Sequence, residues 1–282
     1  MNTVENYIAP GSIEEAAAAL AAGPVTIVAG GTDLMLQTGS GAIAYAKTLM
    51  NVRRIAEMQG VSIDGDTIRI GALTTITELK SDAIIAEHLP VVAEMADKFA
   101  SDQIRNASTI GGNICNASPA GDGIVPLMMY GADVVLASAK GNRNVALSEF
   151  FTGPGKTVKA DNELLVAIEI AKPAAGFKGG FGKFGPRPAL EIAMASVALG
   201  GVVKDGVISN VSVAFGAVGP TPMMGAKTTA LLEGKTLNEE TISAAGEAAS
   251  EEVTPIDDVR ASAWYRRHLI RVMTEEILND VG

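Results

Sequence analysis

The sequence predicts an α+β protein in which a mixed N-terminal part gives way to an antiparallel sheet plus helices. Three observations carry this. Short β-branched runs alternate with alanine- or leucine-rich helical segments in the first hundred residues or so. Two hairpin signatures, centred on Asp64-Gly65-Asp66 and Lys204-Asp205-Gly206, each join a pair of apolar runs. The last stretch of chain carries only helical periodicity.

In chain order, Ser12 with Glu15 forms a capping box ahead of an alanine-rich helix over 16–22, which Gly23-Pro24 closes. Val25-Thr26-Ile27-Val28-Ala29 follows, short and apolar, as a buried strand that runs directly into Gly30-Gly31. Residues 61–63 and 67–73 pair as strands, and helices occupy 77–81 and 90–100. Residues 101–122 show no clean period, and a long aperiodic stretch inside a compact domain is usually functional, so it is read as a functional loop. Strands return at 133–138, 145–147 and 164–170. Lys172-Pro173-Ala174-Ala175-Gly176 marks a domain boundary, giving 1–174 and 175–282. Beyond it, 193–203 and 207–216 form a long hairpin, and 223–232, 239–251 and roughly 260–278 are helical.

At 282 residues the chain can bury one large core or two ordinary ones. No run approaches the roughly 18 apolar residues a membrane span requires. The N-terminal segment lacks a basic n-region and has acidic residues within its apolar stretch, so a cytoplasmic protein without membrane insertion is expected. A net charge of −10 repels polyanions, which argues against nucleic acid as a partner. It does not exclude a small phosphorylated ligand bound through backbone N–H groups. One cysteine, Cys115, and two histidines, His88 and His268, cannot form a disulfide, a thiolate-held iron–sulfur cluster or an ordinary zinc site. No metal site is therefore expected, and any redox centre must be organic and non-covalent.

Two double glycines stand out, Gly30-Gly31 after a strand and Gly111-Gly112 in the aperiodic stretch. Glycine allows positive φ and close approach of backbone to a ligand, and consecutive N–H groups can converge on phosphate oxygens. Taken singly, each pair reads equally well as a tight turn. Neither fits the Rossmann or P-loop pattern.

Their order and context carry more. Val28-Ala29-Gly30-Gly31-Thr32-Asp33-Leu34, then Gln103-Ile104-Arg105-Asn106 and Thr109-Ile110-Gly111-Gly112-Asn113, resemble the FAD-binding subunits of molybdenum hydroxylases. These are the medium subunits of xanthine, nicotinate and carbon monoxide dehydrogenases. The resemblance continues through Ala117–Asp122, Phe181-Gly182-Lys183-Phe184 with Arg187, 219–234 and Tyr265-Arg266-Arg267, so it spans essentially the whole chain. It implies a two-lobed PCMH-type FAD-binding domain followed by a smaller α+β domain of the dehydrogenase flavoprotein type.

The same resemblance implies the site residues. Ile27, Val28, Ala29, Gly30, Gly31, Thr32, Asp33 and Leu34 would wrap the FAD diphosphate. Thr109, Ile110, Gly111, Gly112 and Asn113 would hold the flavin side. Asp122 would accept hydroxyl hydrogen bonds, Leu165 would give a backbone or apolar contact, and Lys183 would place a positive charge near the flavin ring. Asp122 also reads as an N-cap of the apolar run after it, and Lys183 as a solvated strand residue. Phe181 and Phe184 read as flavin-shielding or as core, and Cys115 as a small buried hydrophobe.

No residue is assigned as catalytic, because the chemistry would belong to the cofactor. The implied partners are a molybdopterin-binding large subunit, a [2Fe–2S] small subunit and an external acceptor such as NAD. Two other readings fit the residues: a stand-alone FAD-dependent oxidoreductase of the same fold, and a non-catalytic partner module. Within the family, the runs at 102–106 and 120–123 lean towards the nicotinate or purine branch.

Overall fold

The computed structural model describes residues 4–187 and 190–282. Residues 1–3, part of the segment read for a leader, lie outside it, as do residues 188–189. The polypeptide is α+β, as expected, with four sheets among the described residues.

The first sheet is parallel, with Thr48–Asn51 between Asn6–Ile8 and Val25–Val28. Helix Ile13–Ala22 makes the crossover from the first of these strands, and its buried Ala16, Ala17 and Leu20 face the core. Ser12 accepts a hydrogen bond from Glu15 N as the capping box requires, but Glu15 reaches Gly11 N, one residue earlier than the motif prescribes.

The second sheet is antiparallel and runs Val61–Asp64, Thr67–Gly71, Leu164–Ala171, Asp133–Ser138, Gly141–Ala146. Leu164–Ala171 lies in the middle, and its near-continuous apolar sequence fits a strand covered on both faces. Ile68, Ile70, Val134, Leu136 and Ile168 from this sheet are fully buried in one core with Ile76, Leu79, Ile85, Val91 and Val92 of the helices Ile76–Ser81, Ala83–His88 and Pro90–Asp97. These two sheets make up the two-lobed N-terminal part. A small hairpin, Phe151–Gly153 with Lys156–Thr157, precedes the central strand.

The C-terminal sheet pairs Phe177–Phe184, Ala195–Lys204, Val207–Gly216 and Met223–Met224 in that order, all antiparallel. Ala226–Leu232, Glu239–Glu252 and Ala263–Val281 pack against it over a second core that includes Val197, Leu199, Val213, Phe215, Ile270 and Leu278. Arg266 is 3% exposed and ties the long helix to the sheet through Ala217 O, Met194 O and Asp258.

Several expectations need correction. The stretch 101–122 is not an irregular loop: it contains helices Asp102–Ala107 and Ile110–Asn116, each too short for periodicity to register. Residues 223–224 are strand, and the helix begins at Ala226. The strand expected at 145–147 is Gly141–Ala146, paired to Asp133–Ser138 through a tight turn. The glycine-rich strand Phe177–Phe184 was not anticipated.

Candidate cofactor site

Both double glycines border one cavity of about 740 Å³, of a size suited to a cofactor rather than an ion. Its lining includes 27–34, Thr109, Gly111, Gly112, Asn113 and Leu165. Ile110 is fully buried in the core behind it. Asp122 and Lys183 do not line it.

The first loop supplies the donors. Strand Val25–Val28 ends, Gly31 turns the chain at φ 74°, and helix Leu34–Gly39 begins. Across this turn the N–H groups of Gly30, Gly31, Thr32, Asp33 and Leu34 have no acceptor among the described residues; the first N–H to find one is that of Met35, on Gly31 O at 3.0 Å. Backbone N–H groups are rarely left without a partner, so five in succession beside a cavity form an anion cradle. Burial pushes the Asp33 carboxyl upward.

The second loop does not repeat this arrangement. Ile110 N donates to Thr74 O, Gly111 N to Ala72 O and Asn113 N to Thr109 O, while Gly112 N donates to the Thr109 hydroxyl at 3.1 Å. The pair sits in the first turn of a helix, not at positive φ and not after a strand. The expectation that both glycine pairs offer backbone donors is therefore corrected: only the first does. The second lets segments meet. A Cβ on Gly111 would fall 2.7 Å from Ala72 Cβ. A Cβ on Gly30 would fall 2.1 Å from Ala107 O, so the first loop rests directly on the backbone leading into the second.

From the cavity a short path leads to the C-terminal sheet. Asn113 Oδ1 accepts Gly123 N at 3.2 Å, and the preceding residue, Asp122, meets Lys183 Nζ at 2.6 Å. Both side chains are almost wholly buried. Lys183 is thus not a solvated strand residue. Asp122 is not an N-cap either, since the following helix starts after Gly123 with no side-chain cap. Lys183 also donates to Lys98 O and Glu191 O at 3.3 Å. Burial pushes the Asp122 carboxyl up, against the opposing pull of Lys183. Its Oδ1 is buried with no hydrogen-bond partner among the described residues.

The aromatic pair divides. Phe181 is core, with the Lys98 ammonium 5.9 Å from its ring centroid, whereas Phe184 is exposed and sets its edge against Tyr265. Cys115 is exposed on the cavity wall, not the small buried hydrophobe expected, and the protein around it desolvates the thiolate and pushes the thiol up to about 11. Sequence reasoning did not single out Lys159, Asp161, Asn162, Asn116 or Gln37, which also line the cavity. Asn116 and Gln37 are bonded to each other across it at 2.8 Å. These residues lie in irregular or short elements without a glycine signature, and only the nearby Leu165 hinted at them.

Among the described residues no helix is long and apolar enough to cross a membrane. Residues 2–173 match the model of the FAD binding domain in molybdopterin dehydrogenase, and 182–281 that of the CO dehydrogenase flavoprotein C-terminal domain. The chain is 33% identical over 256 residues to the xanthine dehydrogenase FAD-binding subunit of Escherichia coli O157:H7, covering 90% of this chain and 87% of the relative. It is 30% identical to the nicotinate dehydrogenase FAD-subunit of Eubacterium barkeri, covering 98% of this chain and 95% of the relative. A chain of carbon monoxide dehydrogenase from Hydrogenophaga pseudoflava superposes with a TM-score of 0.94 at 31% identity, covering 99% of this chain and 97% of that one. With an anion cradle on the first glycine loop and both family models matched in order, the chain belongs to the FAD-binding medium subunits of the xanthine, nicotinate and carbon monoxide dehydrogenase family, an oxidoreductase flavoprotein of the molybdenum hydroxylases whose cofactor is FAD.

Proposed function

We propose that this chain takes electrons from [2Fe–2S] clusters on a partner subunit and passes them through FAD to an external acceptor such as NAD. A molybdopterin-binding large subunit would complete the assembly. The observation that carries the reading is the row of five unpartnered N–H groups from Gly30 to Leu34, a neutral donor set suited to a diphosphate in an acidic chain. When bound, FAD supplies the redox chemistry, and the protein supplies binding, orientation and charge.

The residue roles follow from position. The 27–34 loop holds the diphosphate, with Asp33 partly desolvated at its edge. Gly111 and Gly112 keep the opposite wall free of side chains, Thr109 holds that wall in shape, and Leu165 gives an apolar surface. Ile110 supports the wall from the core. Asn113 ties the cavity to the buried Asp122–Lys183 pair behind it, which holds that wall in place and sets the positive charge of Lys183 behind the cofactor rather than against it. The domains divide at about residue 174, so the pair bridges them.

A single cysteine leaves no thiolate set for a cluster on this chain, so one-electron donors must come from elsewhere. Relatives are described as medium chains, including those of carbon monoxide dehydrogenase and glyceraldehyde dehydrogenase, in keeping with a shared assembly. The test is co-expression with the products of neighbouring genes. A complex containing iron and molybdenum, with flavin that bleaches at about 450 nm on anaerobic addition of NADH, is the expected result. A yellow protein that remains alone would favour the stand-alone oxidoreductase. Flavin that does not respond to NADH would remove NAD as acceptor.

A further inference from the structure

Neither glycine loop contains a lysine or arginine, and the cavity walls carry two carboxylates, Asp33 and Asp161. Among the described residues lining the cavity the one cation is Lys159. Donor N–H groups alone leave the two negative charges of a diphosphate uncompensated within a chain of net charge −10.

Lys159 is held for such a role. It sits between the hairpin Phe151–Gly153/Lys156–Thr157 and the central strand Leu164–Ala171, so sheet fixes the backbone on either side. Its ammonium donates to Ala160 O at 3.1 Å and Glu163 O at 3.2 Å. The Glu163 side chain is clamped by Arg143 at 2.6 and 2.9 Å and by Ala160 N at 2.8 Å, which stiffens the segment presenting the lysine. An ammonium has three donors, and two carbonyls occupy two of them. No carboxylate among the described residues lies within ion-pair reach of it. Lys159 and Cys115 both line the cavity.

We infer that Lys159 is the counter-charge for the phosphates of the ADP half of FAD, so that the site favours a flavin bearing a diphosphate over riboflavin. The assignment rests on the cavity being the FAD site and adds to it the one charged contact that the glycine loops lack. Arg143 and Glu163 act on it as positioning residues only.

The test uses the full chain freed of flavin and titrated with FAD and with riboflavin at several salt concentrations, followed by flavin fluorescence. K159M should weaken FAD about tenfold and flatten the salt dependence of its binding. K159R, which keeps the charge, should stay within about threefold of the wild type. Riboflavin should bind both the wild type and K159M equally. FAD affinity in K159M within about twofold of wild type would overturn the assignment. So would K159R as weak as K159M, or riboflavin losing as much as FAD. A wild-type chain that takes up no FAD overturns the cofactor site itself, and the two failures are distinguished by the wild-type titration alone.

Discussion

Replacing Gly30 by alanine should cost this protein its flavin while leaving it folded. A Cβ at Gly30 would lie 2.1 Å from Ala107 O and 2.9 Å from both Ala107 C and Ser108 Cα. These are all backbone atoms, so no rotamer change relieves the overlap, and the two segments must part by about 1 Å or more to regain van der Waals distance. Overpacking of this kind costs about 1–3 kcal/mol. In a chain of this size that lowers Tm by roughly 2–4 °C per kcal/mol, which a folded protein survives. The cradle is less tolerant. An N–H donor holds an oxygen within about 2.7–3.2 Å, so a shift of about 1 Å breaks the bond. Flavin absorbance per chain after desalting should fall below about one-tenth of the wild-type value, with a loss of about 1.4 kcal/mol per tenfold weakening. Gly31→Ala is the control. Its Cβ would meet only side-chain atoms at 3.6 Å, so only the strain of φ 74°, about 1–2 kcal/mol, opposes it. Full flavin occupancy in Gly30→Ala would refute the reasoning, and equal losses in both variants would show that strain rather than crowding decides.

Three further outcomes follow from the partly and wholly buried charges. Asp122→Asn and Lys183→Met should each destabilise the fold by about 3–5 kcal/mol, because each strands one partner of a buried pair, while the double variant should lose clearly less than the sum. Urea unfolding measures this, and additive losses would count against a coupled pair. Lys183→Met should also lower the flavin reduction potential through the lost positive charge, and an unchanged potential would show that its charge does not reach the flavin. Asp258 is desolvated, yet the N–H groups of Arg260 and Ala261 and the Arg266 guanidinium outweigh this and hold its carboxyl at about 2. A carboxyl lowered in the folded state stabilises above its unfolded value and loses that contribution as pH falls. Asp258 should therefore account for on the order of 1–2 kcal/mol lost between about pH 4 and 2. Thermal melts across that range should be less pH-dependent in Asp258→Asn, and equal steepness would refute the linkage.

Much of the fold was legible because local signals and tertiary demands agree. The hairpin strand Val207–Gly216 has the expected bounds, since its apolar run and its Asp205-Gly206 turn point the same way. Phe177–Phe184 was not legible, because three of its eight residues are glycines, which weaken strand propensity and break the alternation that would mark a strand. It exists through full-length pairing with Ala195–Lys204 and through Met273 and Ile277 of the last helix, which lie against Gly182 and Gly180. Asn6–Ile8 and Thr48–Asn51 are only three and four residues long, and they become strands by pairing in a parallel sheet that no local pattern announces.

The sequence by itself determined the class of chemistry. One cysteine and two histidines excluded a resident metal cluster, and the glycine loops in family order pointed to FAD. Only the tertiary structure decided what each glycine does. Whether an N–H is available depends on the acceptor that reaches it, and Ala72, Thr74 and Thr109 claim those of the second loop while nothing among the described residues claims those of the first. Whether a Cβ fits depends on what packs there, and Ala107, distant in sequence, forbids one at Gly30. The Asp122–Lys183 pair is likewise set by two segments meeting in the interior, where low dielectric makes the pairing matter.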